Sequence, residues 1–307
     1  MPKEFKTINE LITLLESRGV KTDSDTEIAL MRESYYAIVN GYKKPFLDLK
    51  AMEKSNEDIY KQGTEFTWMY DLFLFDRDLR ALVFKYMAKA EASIRSAIVY
   101  SFCFAHQSHN DYLDISNYCD PNEYLVSKHF KGNKEQLFQQ NLIRFMGTLN
   151  KKLIVKSGTR PFIKHYLNKY NSVPLWVLAN DLTFGNMVNM YQLMQVHDRE
   201  RTCTIIAKEN LKENNDYPYL SPRMLLRYAK VLVSFRNICA HDERLYCSKV
   251  GNDDLKMALF SLMMIIGTNE FDLFVKELSG LFIKYKGRLH NVTPMSLLGD
   301  MGFEVEE

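Results

Sequence analysis

Glycine and proline are scarce in this chain, at 13 and 8 among 307 residues. All-β folds spend both on their many turns, so a sandwich or barrel is disfavoured. The five cysteines (103, 119, 203, 239 and 247) contain no CxxC pair. An odd, scattered set points to reduced thiols and a cytoplasmic location. Cys239-Ala-His241 with Cys247 fits no usual zinc spacing, so neither a metal nor any other cofactor is expected. Long apolar runs are missing as well: nothing reaches the roughly eighteen residues that a membrane span needs, so no membrane partner is expected. The opening MPKEFKTINELITLLES carries acids and no extended apolar run, and no signal peptide is visible. A large net charge is also absent, at +2 overall. No global field announces a nucleic-acid binder, and any such role must rest on local patches.

One local absence is informative. From Gln136 to Asn180 there is no acid, while the same stretch carries Arg144, Lys151, Lys152, Lys156, Arg160, Lys164 and Lys169. Positive charges without a counter-charge suggest a patch for RNA phosphates. The alternative is a basic face that is merely solvated.

What the chain does have is core material. Its hydrophobic fraction is 46%, with 18 Tyr and 19 Phe, which excludes disorder. Apolar residues recur at helical rather than alternating spacing, so the fold class expected is all-α. Residues 7–18 read as a short helix stopped by Gly19. Asp25 or Thr26 opens a second that runs past Ile38 to Asn40-Gly41. Thr64 to about Ala105 is the longest; it exceeds the usual helix, which leaves room for a break near Asp76–Asp78. Helices also fit 134–155, two short pieces over 174–191 with Thr183 as a cap, 197–210, Asp253 or Asp254 to about Gly267, and a last one from Glu270. From His290 onward the tail reads as turns. Trp176 reads as core, and His106 and His109 as solvent-facing. Glu91 and Arg95, four apart, can pair across one helical turn, and the plain reading is a surface pair.

The richest stretch is Leu232-Val-Ser-Phe-Arg-Asn-Ile-Cys-Ala-His-Asp-Glu-Arg-Leu-Tyr246 with the helix start before it. Ser221 fits an N-cap and Pro222 the first helical position. Leu225, Tyr228, Leu232, Phe235 and Cys239 form an apolar face. Arg223, Arg227, Lys230, Ser234, Asn237 and His241 form another, basic and ending at an amide and an imidazole. Arg236 lies about 140° around the helix from His241, so its long side chain must bend across to join it. A guanidinium grips phosphate with a two-pronged fork, and an imidazole moves protons near neutrality. Together they suffice for transesterification of RNA without a metal, with Asn237 orienting a phosphate oxygen or the imidazole. The spacing alone is weak, since Arg160 and His165 repeat it.

Context adds specificity. Arg236-Asn-Ile-Cys-Ala-His241 followed by Arg244-Leu-Tyr246 resembles the signature of the Abi family of bacterial abortive-infection proteins, which resemble the wider HEPN superfamily of helical ribonucleases. Three more segments are similar to that family's motifs: Tyr35-Tyr36 with Gly41-Tyr42-x-x-Pro45-Phe46, Glu91-x-x-x-Arg95-Ser96, and Pro174-x-Trp176 with Leu182-Thr-Phe-Gly185. The resemblance spans roughly residues 28–247. It implies a helical HEPN-like domain over 1–250; 251–307 lie outside the motifs, and helix periodicity alone makes them a helical extension packed on it. It also implies a homodimer that cuts RNA to a 2′,3′-cyclic phosphate and a 5′-hydroxyl, arresting or killing a phage-infected cell. Arg236 and His241 would be the catalytic pair beside Asn237, with Glu91, Arg95, Arg244 and Tyr246 in support. An RNA or protein antitoxin is a further expected partner. Asp242 departs from the many relatives with a second His there; an acid beside His241 would hold its proton or repel a phosphate. The alternative function is an RNA- or protein-binding module of a toxin–antitoxin or phage-defence system that does not cut.

Overall fold

The computed structural model describes residues 4–53, 57–126, 130–155, 160–211 and 219–305. Among them there are helices, turns and isolated single bridges, and no strand, so the chain is all-α. In chain order the helices are α1 (Ile8–Ser17), α2 (Ser24–Glu33), α3 (Leu49–Met52), α4 (Phe66–Ala105), α5 (Lys134–Val155), α6 (Pro161–Tyr170), α7 (Leu175–Leu178), α8 (Phe184–Leu193), α9 (Val196–Leu211), α10 (Pro222–Ala240), α11 (Leu255–Ile266), α12 (Thr268–Tyr285) and α13 (Pro294–Asp300).

Several of these begin where a side chain takes over the orphan N–H groups of a first turn. Thr7 and Glu10 close a reciprocal capping box on α1, and Thr183 and Asn186 do the same on α8. Asp23 caps α2 by accepting from the Asp25 and Thr26 N–H groups. The helix therefore starts earlier than Asp25. It also stops earlier, at Glu33, because Ser34 turns into the left-handed region at φ 66. A π-helical turn over Tyr36–Asn40 follows in place of continued α-helix.

The chain divides into two units. One takes Met1–Phe84, Ile238–Lys256 and Phe274–Glu307. Its core holds the buried Leu72, Phe75, Leu79 and Val83 of α4. Phe75 packs against Phe282 and edge-on against Tyr285 of α12. Asp78 takes Lys284 at 2.6 Å and the Tyr285 hydroxyl at 2.9 Å. Asp71 pairs with Arg288. The tail is not all turns: a Thr293–Ser296 capping box opens α13.

The other unit takes Lys85–Asn237 and Met257–Leu273. Ile94, Ile98 and Phe102 of α4 are buried in it, with Phe102 and Phe145 both against Tyr118. Tyr228 of α10 packs edge-on against Phe260 of α11. α4 runs unbroken for 40 residues, so the expected interruption at Asp76–Asp78 does not occur. Both acids find partners inside their own unit.

All five cysteines are free thiols, buried or half-buried. Burial pushes the thiols of Cys103, Cys119 and Cys203 up to about 11 and that of Cys239 up to about 12. Only the thiolate reacts. A thiol reagent at about pH 8 is therefore expected to label the folded chain slowly, with a rate rising about tenfold per pH unit toward pH 10. Fast labelling of folded Cys239 at about pH 8 would contradict this.

Candidate active site

Ser221 and Pro222 open α10. The Met224 N–H donates to the Ser221 hydroxyl oxygen at 3.3 Å. Leu225, Tyr228, Leu232 and Phe235 are buried and Cys239 is half-buried, so the apolar stripe is the core face. Arg223, Arg227, Lys230 and Asn237 are exposed, and Ser234 and Arg236 are half-buried. α10 ends at Ala240, which makes His241 its cap rather than a member of the helical face with Asn237. The backbone turns left-handed at Asp242 (φ 57), and the Glu243 N–H returns to the Ile238 carbonyl at 3.2 Å. This is a Schellman closure with an aspartate where glycine is usual. His241, Asp242, Glu243 and Arg244 are exposed.

The chain beyond this cap is pinned by a carboxylate from α4. Asp76 is fully buried. It accepts from the Leu245 N–H at 2.9 Å, the Tyr246 N–H at 2.8 Å, the Tyr42 hydroxyl at 2.7 Å and Arg80 at 3.0 Å. Burial pushes the Asp76 carboxyl up, while the Leu245 N–H, the Tyr42 hydroxyl, Arg80 and the Tyr246 N–H pull it down. Two backbone N–H groups and a guanidinium can only donate, so they match a carboxylate better than a carboxylic acid. The other arm of Arg80 pairs with Asp242. That pairing partly offsets the acid next to His241 and helps to hold its left-handed backbone. Arg244 donates to the Gly41 carbonyl at 2.6 Å. Tyr246 is buried and stacks on Tyr42.

In the other unit, Glu91 is not the partner in a surface pair. One of its carboxylate oxygens pairs with Arg95, and the other lies 3.3 Å from Nε of Arg236. Arg95 also donates to the Ala179 carbonyl at 3.1 Å. Arg236 reaches the side-chain oxygen of Asn237 at 3.4 Å. Glu91 and Arg95 are largely buried, with 13% and 21% of their side chains exposed. A carboxylate between two guanidiniums keeps them from repelling one another.

The model of the Abi-like protein family matches residues 29–247. The chain belongs to the Abi-like protein family. No curated protein and no solved structure matches it. Membership suggests a role in abortive infection, a defence against phage. The matched span takes in Asp76, Arg80, Glu91 and the whole turn from Arg236 to Tyr246. Of the motif residues in this Abi-like protein, Trp176 is a correction: it is 45% exposed rather than core. The single turn of α7 buries Leu175, Val177 and Leu178, which leaves Trp176 outward and edge-on to His109.

The acid-free stretch supplies fewer unopposed cations than its composition implies. Lys152 and Arg160 both lie 2.8 Å from the buried carboxylate of Asp181, the first acid after the stretch. Arg144, Lys151, Lys164 and Lys169 are exposed. Lys156 lies outside the described residues.

His106 and His109 are half-buried, not solvent-facing. His106 meets the buried Asp198 at 3.2 Å, and His109 meets the Ser172 hydroxyl at 2.9 Å. Among the described residues, His106, His197 and Asp198 form a group able to hold a metal ion. Arg201 lies 3.1 Å from the same Asp198, a fixed positive charge that competes for the carboxylate. Among the described residues no helix is long and apolar enough to cross a membrane.

Asp76 and Arg80 stand outside the sequence motifs, and Tyr42 stands within one, Gly41-Tyr42-x-x-Pro45-Phe46. Removing Asp76 takes the acceptor from two buried N–H groups and from the Tyr42 hydroxyl, and leaves Arg80 with Asp242 as its remaining carboxylate. Asp76→Ala is expected to cost about 3–5 kcal/mol in urea unfolding. A loss below about 1 kcal/mol would show that the clamp carries little of the fold.

Proposed function

We propose that this Abi-like protein is a metal-independent endoribonuclease of HEPN type that acts as a homodimer and serves abortive infection by cutting RNA. The observation that supports it most directly is the exposure of His241 at the cap of α10. The same helix end carries the exposed Asn237, and Arg236 held by Glu91. In this reading, the imidazole of His241 takes the proton of a ribose 2′-hydroxyl. The 2′ oxygen attacks phosphorus, the bond to the 5′ oxygen breaks, and the imidazole of the second copy protonates that leaving oxygen. The products are a 2′,3′-cyclic phosphate and a 5′-hydroxyl. Arg236 compensates the charge that gathers on the phosphorus oxygens, and Glu91 and Arg95 orient it. Asn237 orients a phosphate oxygen or the imidazole.

The exposed cations Arg144, Lys151, Lys164, Lys169, Arg223, Arg227 and Lys230 serve backbone phosphates in this account. An RNA or protein antitoxin would restrain the enzyme until infection. The pairing of Asp242 with Arg80 lessens the repulsion that an acid beside His241 exerts on a phosphate.

The test compares purified wild type with Arg236→Ala and His241→Ala on cellular RNA. Cleavage by the wild type and a loss of roughly 100-fold or more in each variant are expected, with helical content unchanged. Intact RNA with all three proteins, or equal cleavage by all three, would remove the assignment. Salt-sensitive binding without cutting would favour the non-catalytic module.

A further inference from the structure

A groove of about 600 Å³ opens beside the turn that follows His241. That volume falls in the range of small-ligand sites, roughly 300–1,000 Å³. One wall is the turn itself, with Glu243, Arg244 and Lys249. The facing wall is the π-helical turn with Tyr36 and Asn40, followed by Gly41. All of its lining residues belong to the same unit as His241.

Three features make it more than a crevice. First, Tyr36 lines it yet is 78% exposed, an aromatic face that the fold leaves without a covering layer. Isolated exposed aromatics are ordinary, but this ring sits on a π-helical turn entered through Ser34 at φ 66. Irregular backbone of this kind costs free energy and is concentrated at functional sites. Second, the bond from Arg244 to the Gly41 carbonyl fixes a guanidinium across the groove, and Lys249 adds an exposed cation. Third, Arg80 partly offsets Asp242, one of the two acids in the lining, which leaves Glu243 as the acid that most opposes the cations.

An aromatic face, two cations and one carboxylate are the groups that recognise an unpaired nucleotide. The ring stacks on a base, the cations take its phosphate, and the carboxylate accepts from an exocyclic amino group. We infer that this groove is a subsite for one unpaired nucleotide of single-stranded RNA. The inference rests on the ribonuclease reading for its substrate class and adds that the strand must be unpaired where it crosses Tyr36. A base-paired nucleotide cannot offer a free face to that ring.

The test is fluorescence anisotropy in a His241→Ala background, which keeps the RNA whole. The probes are a short labelled single-stranded RNA of mixed sequence and the same strand annealed to its complement. Tyr36→Ala is expected to weaken single-strand binding about tenfold and to leave duplex binding unchanged, while Tyr36→Trp restores it. Lys249→Ala is expected to lower the salt dependence by about one phosphate contact. Tyr36 is exposed, so its replacement does not disturb the core. Equal single-strand affinity with and without the Tyr36 ring overturns the inference, as does equal weakening on duplex and single strand. Wild-type cleavage together with unchanged Tyr36→Ala binding removes the groove and leaves the nuclease standing. Tyr36-dependent binding by a protein that never cleaves keeps the groove and removes the nuclease.

Discussion

The turn that presents His241 depends on one buried charge. Asp76 comes from the middle of the longest helix and receives the N–H groups of Leu245 and Tyr246. A carboxylate buried this deeply is tolerable only when nearly every lone pair is met. Here two N–H groups, a hydroxyl and a guanidinium meet them. The guanidinium then reaches on to Asp242, so one network sets the backbone on both sides of Glu243 and Arg244. His241 is exposed at the near end of this braced segment. Its freedom to meet a ligand and the rigidity of the chain behind it therefore have the same origin.

Electrostatic pairing also decides which cations face solvent. Glu91 sits between Arg95 and Arg236, and Asp181 takes both Lys152 and Arg160. In each case one acid holds two bases that sequence spacing alone would count as independent. Arg144 and Lys151 on α5, Lys164 and Lys169 on α6, and Arg223, Arg227 and Lys230 on α10 lie outside these pairs and are exposed.

Much of the fold was legible in the chain. The apolar stripe of α10 repeats at helical steps over several turns, and its Ser-Pro start has a local mechanism, so both element and core face followed. The Thr183 cap and the break before α8 were equally local. What could not be read were contacts between distant residues. The unusual length of α4 allowed a break near the acids at 76 and 78, and nothing in the neighbourhood of Asp76 announces an N–H group 169 positions away. His106 looked solvent-facing because its partner, Asp198, is 92 positions on. Glu91 and Arg95 looked like a surface pair because the helix spacing that joins them says nothing of Arg236. The early end of α2 turned on a single left-handed serine, a conformation that serine does not advertise.

The account is tested most directly by the chemistry of the ends that the purified protein leaves on RNA in the presence of a metal chelator. Transfer through a ribose 2′ oxygen by a guanidinium and an imidazole predicts 2′,3′-cyclic phosphate and 5′-hydroxyl termini, formed undiminished by the chelator. Termini bearing a 3′-hydroxyl and a 5′-phosphate, or cutting that stops when the chelator is added, would contradict it.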